Sequence, residues 1–184
     1  MRSALLVMLA VPLAAWFLVK PVRLLAPGWA DIHCPTASVC VDDVVRFAAA
    51  AALHAETMAF TATAATPLTA TPRLIFFSTE SCAQWFGLGA RSAVTLGTFG
   101  TVIGPRAWQP HYVRHEMIHT LQAENTGVLR LLFKPKWFVE GMAYALSGDP
   151  RAPLAEPWES HRASFAAWYK TVGRQFLWVE AGKL

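Results

Sequence analysis

Two histidines and a glutamate stand at a spacing that could bind a metal ion and activate a water molecule. The stretch His115-Glu116-Met117-Ile118-His119 reads H-E-x-x-H. In an α-helix of 3.6 residues per turn, positions four apart lie one above the other on the same face. Two imidazoles so placed can bind one zinc ion, and the glutamate between them can act on a water molecule there. A surface helix that carries two histidines by chance is the alternative interpretation.

The surrounding sequence favours a helix at this motif. Pro110 suits the first turn of a helix, where its missing N–H costs nothing. Residues 111–122 contain neither glycine nor proline. Apolar residues recur at helical spacing in this stretch, namely Val113, Met117, Ile118 and Leu121. Gly127 could end the helix in a left-handed cap.

Glu140 is the candidate for a third metal ligand, since a catalytic zinc site needs at least three protein ligands. It lies in W-F-V-E-G-M-A, between Pro135 and Gly148, which predict the ends of a second helix. His119 lies roughly 9 Å before the end of the first helix, and Glu140 roughly 7 Å into the second. Antiparallel packing at an interaxial distance of about 8–10 Å would bring these side chains level. A solvated helix glutamate is the alternative.

The two motifs together resemble the gluzincins, zinc metallopeptidases whose third ligand is a glutamate on the next helix. The resemblance covers roughly residues 95–148, and its motifs are H-E-x-x-H at 115–119 and W-F-x-E-G-x-A at 137–143. It implies one zinc ion per chain, with His115, His119 and Glu140 as ligands and Glu116 as the general base. It also implies a peptide or protein substrate, whose amide bond a zinc-activated water molecule would hydrolyse.

One departure from the family concerns the segment that binds a free amino terminus in gluzincin aminopeptidases. The chain has no G-x-M-E-N stretch upstream of the motif, and residues 97–104 (GTFGTVIG) stand in its place. The chain therefore resembles a compact, stand-alone gluzincin domain more closely than it resembles an aminopeptidase.

The transition state of amide hydrolysis needs a further donor opposite the metal. Four residues are candidates, and the sequence does not rank them: Tyr112, Tyr144, His161 and Tyr169. Ordinary packing is the alternative role for each of them.

A short β-prone run, Thr101-Val102-Ile103, precedes the motif and ends at Gly104. In zincins an edge strand above the zinc helix pairs with extended peptide substrates. The resemblance implies that residues 98–103 could be that strand, offering main-chain hydrogen bonds. A plain buried strand is the alternative.

The N-terminus carries an uncharged apolar run of sixteen residues, Ala4 to Val19. The run is long for the core of a signal peptide and short for a spanning helix. We expect residues 1–30 to be an uncleaved membrane anchor, with a cleaved signal segment as the alternative. Residues 31–184 are then one zincin-like metallopeptidase domain.

Cysteine usage indicates the compartment. The chain of 184 residues has three cysteines, Cys34, Cys40 and Cys82, and any two of them could form a disulfide. A disulfide, together with the apolar N-terminus, predicts a catalytic domain in an extracytoplasmic, periplasm-like compartment. Three reduced thiols in a cytosolic protein are the alternative.

The remaining segments predict the scaffold. We expect helices at residues 41–60 and 81–86, a loop at 61–71, a strand at 73–77 and a terminal helix at 157–179. These elements predict an α+β fold of the zincin type, in which a small sheet packs on helices and the metal site lies between two of them.

Charge and composition narrow the function. Basic residues give a net charge of +4, but they are scattered, so nucleic-acid binding is not expected. The sequence predicts a membrane-anchored or exported zinc metallopeptidase. A zinc amidase acting on cell-wall peptides is one alternative. Another is a non-enzymatic envelope protein with a structural or vestigial metal site, although Glu116 favours an enzyme.

Overall fold

A four-stranded mixed sheet organises the computed structural model, which describes residues 20–25 and 27–184. The strands are β1 (Val39–Val41), β2 (Leu74–Phe76), β3 (Ala93–Thr95) and β4 (Thr101–Ile103). Their order in the sheet is β1-β2-β4-β3. β1, β2 and β4 run parallel, and β3 pairs with β4 in the antiparallel sense. The edge strands are therefore β1 and β3.

Seven α-helices lie in the described part of the chain. They are α1 (Phe47–Ala64), α2 (Glu80–Trp85), α3 (Pro110–Thr126), α4 (Val128–Leu131), α5 (Lys136–Leu146), α6 (Trp158–Val172) and α7 (Leu177–Ala181). Short 3-10 turns at Lys20–Leu25, Pro27–Ala30, Val44–Arg46, Pro105–Ala107 and Arg174–Phe176 complete the described elements. Helices and a small sheet together confirm the predicted α+β class.

Both faces of the sheet are buried, because successive strand side chains point to opposite sides. Leu74 and Phe76 of β2 pack in the cluster that contains Val113 and Met117 of α3. Ile75, between them, faces the other way, into a cluster with Leu24 and Phe86. Strands covered on both faces read as continuous apolar runs, as β2 does. The sheet thereby supports α3, the helix that carries H-E-x-x-H.

A second core forms between helices alone. Apart from Ala65, which follows α1, its fully buried members come from α3, α5, α6 and α7, and include Ile118, Leu121, Phe138, Met142, Phe165 and Leu177. This core fixes α5 against α3, and so determines the position of Glu140 relative to the two histidines.

The C-terminal segment is tied to distant parts of the chain. Arg174 Nε donates to the carbonyl of Ala65 at 2.6 Å, near the end of α1. Lys134 Nζ donates to the carbonyl of Ala181 at 2.8 Å. Leu177 and Ala181 themselves are buried in the helical core. Residues 174–181 therefore close the helical layer.

Several predicted elements match the structure and others need correction. The strand at 73–77 is confirmed as β2, and the helix at 81–86 as α2, shifted by one residue. The helix expected over 41–60 begins later, because β1 and a turn capped by Asp43 precede it. It also runs on to Ala64, into the region expected to be a loop.

The single terminal helix expected over 157–179 is wrong. Gly173 interrupts it with φ of +73°, a left-handed conformation that glycine adopts without steric penalty. A 3-10 turn and α7 follow. Phe176 is exposed at this break.

One of the three possible disulfides is present, between Cys34 and Cys40, and Cys82 is a free, half-buried thiol. No helix in the described residues has the length and apolar character needed to cross a membrane. The apolar run at 4–19, on which the predicted anchor depends, lies outside the described residues.

Candidate metal centre

α3 carries the three polar side chains of the motif, those of His115, Glu116 and His119. Pro110 occupies the first turn, and Gly127 ends the helix with φ of +84°. Val113 and Met117 bind the helix to the sheet side of the core. These contacts leave His115 and His119 half-buried at the surface of a cleft. The helix predicted from sequence is therefore confirmed.

α5 presents Glu140 to the same cleft, and Gly141, the next residue, packs α5 closely against α6. A Cβ placed on Gly141 would lie 2.2 Å from the carbonyl oxygen of His161 on α6. Only a residue without a side chain allows this close approach of the two helices. The glycine of the E-G-x-A motif thus has a packing role, which the sequence alone did not indicate.

We expect Gly141→Ala to destabilise the protein by about 2 kcal/mol, because the added methyl group would force α5 away from α6. Urea unfolding of the parent and the variant measures the difference. Gly28→Ala is the matched control, since no atom lies within 4 Å of a Cβ at Gly28. Equal stability of Gly141→Ala and the parent would contradict the packing role.

The three predicted ligands converge. Nε2 of His115 and Nε2 of His119 lie 3.1 Å apart. An Oε2 atom of Glu140 lies 3.6 Å from the first nitrogen and 3.7 Å from the second. Tetrahedral coordination with zinc–ligand bonds of about 2.0–2.2 Å separates ligand atoms by about 3.3–3.6 Å. Shifts of a few tenths of an ångström would therefore accommodate the ion, and the donor set of two imidazoles and a carboxylate suits zinc.

Gln122 orients one of the imidazoles. Its side-chain amide nitrogen donates to the carbonyl of Val139 at 2.9 Å. Its oxygen therefore faces His119 Nδ1, 2.9 Å away, and accepts the proton on that nitrogen. This tautomer leaves a lone pair on Nε2, which is the atom that faces His115 and Glu140. Such outer partners fix the ring orientation of metal-binding histidines. Gln122 was not among the residues predicted from sequence.

Replacing Gln122 with leucine should weaken zinc binding by about 10–100-fold, because His119 would lose the partner that fixes its tautomer. Competition with a zinc chelator of known affinity measures the dissociation constant. Gln175→Leu, at an exposed glutamine, is the control. Unchanged zinc affinity in Gln122→Leu would show that the hydrogen bond does not support the metal centre.

The electrostatic environment favours the ligand forms of two of these groups. Burial lowers the pKa of His119, with a further contribution from His115. Burial alone would raise the pKa of Glu140, but its hydrogen bond to His115 and the charge interactions with both histidines outweigh that effect. The net result is a pKa of Glu140 below the ordinary value. A neutral imidazole and an ionised carboxylate are the species that bind metal ions.

Glu116 lies beside the three candidate ligands, and a threonine of the edge strand β3 holds its carboxylate. It is 8% exposed, and its Oε2 accepts a hydrogen bond of 2.7 Å from Oγ1 of Thr95 on β3. Thr95 Oγ1 lies 2.9 Å from Oγ1 of Thr101 on β4, in the opposite register position. The hydroxyl of Thr95, itself in contact with that of Thr101, therefore fixes one carboxylate oxygen of Glu116. Sequence reasoning missed Thr95, because nothing in its neighbourhood signals contact with a helix 21 residues away.

The ligands and Glu116 line a cleft of about 680 Å³. Tyr112 and Tyr144 also line it, whereas His161 and Tyr169 are absent from its lining. The ring of Tyr144 packs edge-on against that of His115, with centroids 4.4 Å apart. Burial and the charge of Glu140 raise the pKa of Tyr144, which keeps its hydroxyl a donor. Of the four candidate donors, the structure therefore brings two to the centre.

Arg151 is a further residue of the cleft that the sequence did not reveal. Its guanidinium is paired with Asp149 at 2.5 Å, which raises its pKa and keeps it charged. Nη1 lies 3.4 Å from the hydroxyl of Tyr112. The arginine comes from the loop between α5 and α6, so only the tertiary fold brings it to the metal helices.

The predicted edge strand is wrong in position. Residues 101–103 form β4, which is buried between β2 and β3 and therefore fits the alternative interpretation. The edge strand beside the centre is β3, which lines the cleft. Ser92 and Leu96 hydrogen-bond to Gly104 and Gly100 on the β4 side. By antiparallel alternation, the main-chain groups of Ala93 and Thr95 point away from β4.

Comparison of the chain with protein-family models, with curated proteins and with solved structures found no match. Function is therefore inferred from the residues of the site.

Proposed function

We propose that this chain is a zinc-dependent metallopeptidase of the gluzincin type, with a zincin-like arrangement of the sheet and the two metal helices. The observation that carries the proposal is the convergence of His115, His119 and Glu140 with Glu116 beside them. A structural zinc site is closed by four protein ligands and needs no further buried carboxylate, whereas a catalytic site keeps one position open. The pairing of a three-ligand set with such a carboxylate supports a catalytic centre.

In the proposed reaction, three residues would bind zinc, Glu116 would transfer the proton and Thr95 would orient Glu116. Zinc bound by His115, His119 and Glu140 would polarise a water molecule and lower its pKa to about 7. Glu116 accepts the proton of the attacking water and passes it to the nitrogen of the leaving amine. Thr95, by donating to one carboxylate oxygen, directs the other oxygen of Glu116 to this task.

Substrate binding and charge stabilisation fall to the walls of the cleft. The outward main-chain groups of Ala93 and Thr95 suit pairing with an extended peptide, which would add a strand to the sheet. Tyr144 and Arg151 provide donors for the oxygen that becomes negative when the amide carbonyl is attacked. An extended peptide is therefore the class of substrate that the cleft suits best.

We further propose that the enzyme is membrane-anchored or exported, with its catalytic domain in an extracytoplasmic compartment. The Cys34–Cys40 disulfide supports this weakly, since such bonds persist mainly in oxidising compartments. The apolar run at 4–19 supports it from the sequence.

A peptide-library experiment tests the activity. The full chain, purified in detergent and loaded with zinc, is incubated with proteome-derived peptides, and new termini are identified by mass spectrometry. We expect cleavage within peptides that disappears on chelation and returns with added zinc. Cleavage of cell-wall peptides alone would favour the amidase alternative, and no cleavage by the folded, zinc-loaded chain would reject the enzyme.

A further inference from the structure

The connection between the two metal helices exposes large apolar side chains. Leu129 and Leu132 are 76% and 74% exposed, and Phe133 is 87% exposed. Three such side chains within five residues form a patch, which is unusual on a surface that faces only water. Leu129 lies in α4, and Leu132 and Phe133 directly follow that helix. Leu132 belongs to the wall of the cleft, so the patch lies at its rim.

This patch continues onto two neighbouring segments. A Cβ on Gly97 would lie 2.8 Å from a methyl group of Val128, so the β3–β4 turn touches the start of α4. A Cβ on Gly100, in the same turn, would lie 2.9 Å from the side chain of Leu24. Phe99, between these glycines, is 61% exposed, and Leu25 is also exposed. We call these five exposed side chains the apolar arc: Leu25, Phe99, Leu129, Leu132 and Phe133.

The charges in the segment that carries Leu129, Leu132 and Phe133 are positive. Residues 125–139 contain Arg130, Lys134 and Lys136 and no acidic residue. The acidic residue immediately before them, Glu124, accepts hydrogen bonds from Thr69 and so is engaged elsewhere. Exposed apolar side chains flanked by basic residues are the composition that binds the interface of an anionic bilayer.

The path of the chain supplies an independent argument for the same partner. The turn Lys20–Leu25 directly follows the sixteen-residue apolar run that we expect to enter a membrane. Leu24 of this turn packs on the β3–β4 turn that carries Phe99. A bilayer that holds the apolar run therefore lies next to one end of the arc.

We propose that the apolar arc rests on the surface of an anionic lipid bilayer and fixes the orientation of the domain on it. The inference takes insertion of the apolar run from the sequence. It also deepens the proposed function, on which the following consequence rests. Because Val128, Leu131 and Leu132 belong to the wall of the cleft, the cleft opens beside the bilayer, and peptides at the membrane surface become its substrates.

Depth-dependent quenching tests the proposal on the full chain. Cys82→Ser removes the free thiol, and Leu132→Cys in that background is labelled with an environment-sensitive fluorophore. The chain is reconstituted in nanodiscs of phosphatidylcholine with or without phosphatidylglycerol, containing lipids that carry a quencher at a shallow or a deep position. Val45→Cys is the matched control, because Val45 is apolar, 90% exposed and adjacent to the opposite edge strand, β1.

We expect the label at 132, but not the label at 45, to be quenched most strongly by the shallow quencher, since interfacial segments lie about 5–10 Å into the headgroup boundary. Arg130→Gln and Lys136→Gln should each weaken this docking about fivefold in anionic discs. A chain that enters the discs without quenching at 132 would overturn the proposal. Equal quenching in discs of phosphatidylcholine alone would also overturn it, because docking would then not depend on anionic lipid.

Two further outcomes would show whether the predicted anchor or the assignment of the patch to a membrane is at fault. Failure of the chain to enter any disc would overturn both the predicted anchor and the docking surface, while leaving peptide cleavage untouched. If the label at 132 is unquenched and Leu132→Ser raises the KM for a water-soluble peptide severalfold, the patch binds substrate, and the membrane assignment is wrong. Metal-dependent cleavage is measured separately, so its failure does not affect the quenching result.

Discussion

Glu116→Gln should lower the rate of peptide hydrolysis by at least about 10²–10⁴-fold while zinc remains bound. Glutamine has the size and shape of glutamate and can still accept the hydrogen bond from Thr95, so the cleft keeps its geometry. It cannot accept a proton from water, because an amide oxygen is a very weak base. The loss should therefore appear in kcat, with little change in KM.

The control for Glu116→Gln is a glutamate on the same helix that lies outside the cleft. Glu124→Gln is suitable, since Glu124 also lies on α3 but binds Thr69 and Ala70 rather than facing the cleft. Zinc content, measured by elemental analysis, should be one ion per chain in the parent and in both variants. Undiminished hydrolysis by Glu116→Gln would exclude the proposed role of this residue.

The second large effect concerns the metal itself. Glu140→Ala should weaken zinc binding by more than about 100-fold, beyond the loss expected for an outer partner. The substitution leaves two ligands, and it removes the carboxylate that balances part of the charge of the ion. Hydrolysis should fall in parallel, because less zinc stays bound after dialysis and two ligands no longer fix the position of the ion.

Elemental analysis of the full chain after dialysis measures this effect directly. Glu180→Ala is the control, since Glu180 pairs with Lys183 at the surface of α7. Two results would refute the metal centre. One is a folded parent chain that takes up no zinc when loaded, and the other is a Glu140→Ala variant that binds zinc as tightly as the parent.

The convergence of the three candidate ligands could be predicted from sequence because helices make spacing informative. The i, i+4 relation of His115 and His119 depends only on local geometry. Glu140 required one tertiary assumption, that the next helix packs antiparallel, and the short connection favoured it. These three residues and the α+β class are what the sequence supports most directly.

The rest depended on contacts that carry no local signal. β1 (V-C-V) and β3 (A-V-T) each contain a residue that is not β-branched, whereas all three residues of β4 (T-V-I) are, so the sequence favours β4 as the edge strand instead. Thr95 and Arg151 reach the centre from other elements, and an isolated threonine or arginine looks the same in a loop or in a site. Gly173 could have been recognised as a break, but the apolar spacing on either side of it favoured one continuous helix.

The ties of the C-terminal segment have a consequence for biosynthesis. Arg174 and the carbonyl of Ala65 are 109 residues apart, and Lys134 is 47 residues before Ala181. A nascent chain that has just completed the two metal helices still lacks α6 and α7, which cover the inner face of α5. The helical layer therefore cannot close until residues 174–181 have been synthesised, and a chain exported during synthesis would enter its compartment with this half of the fold incomplete.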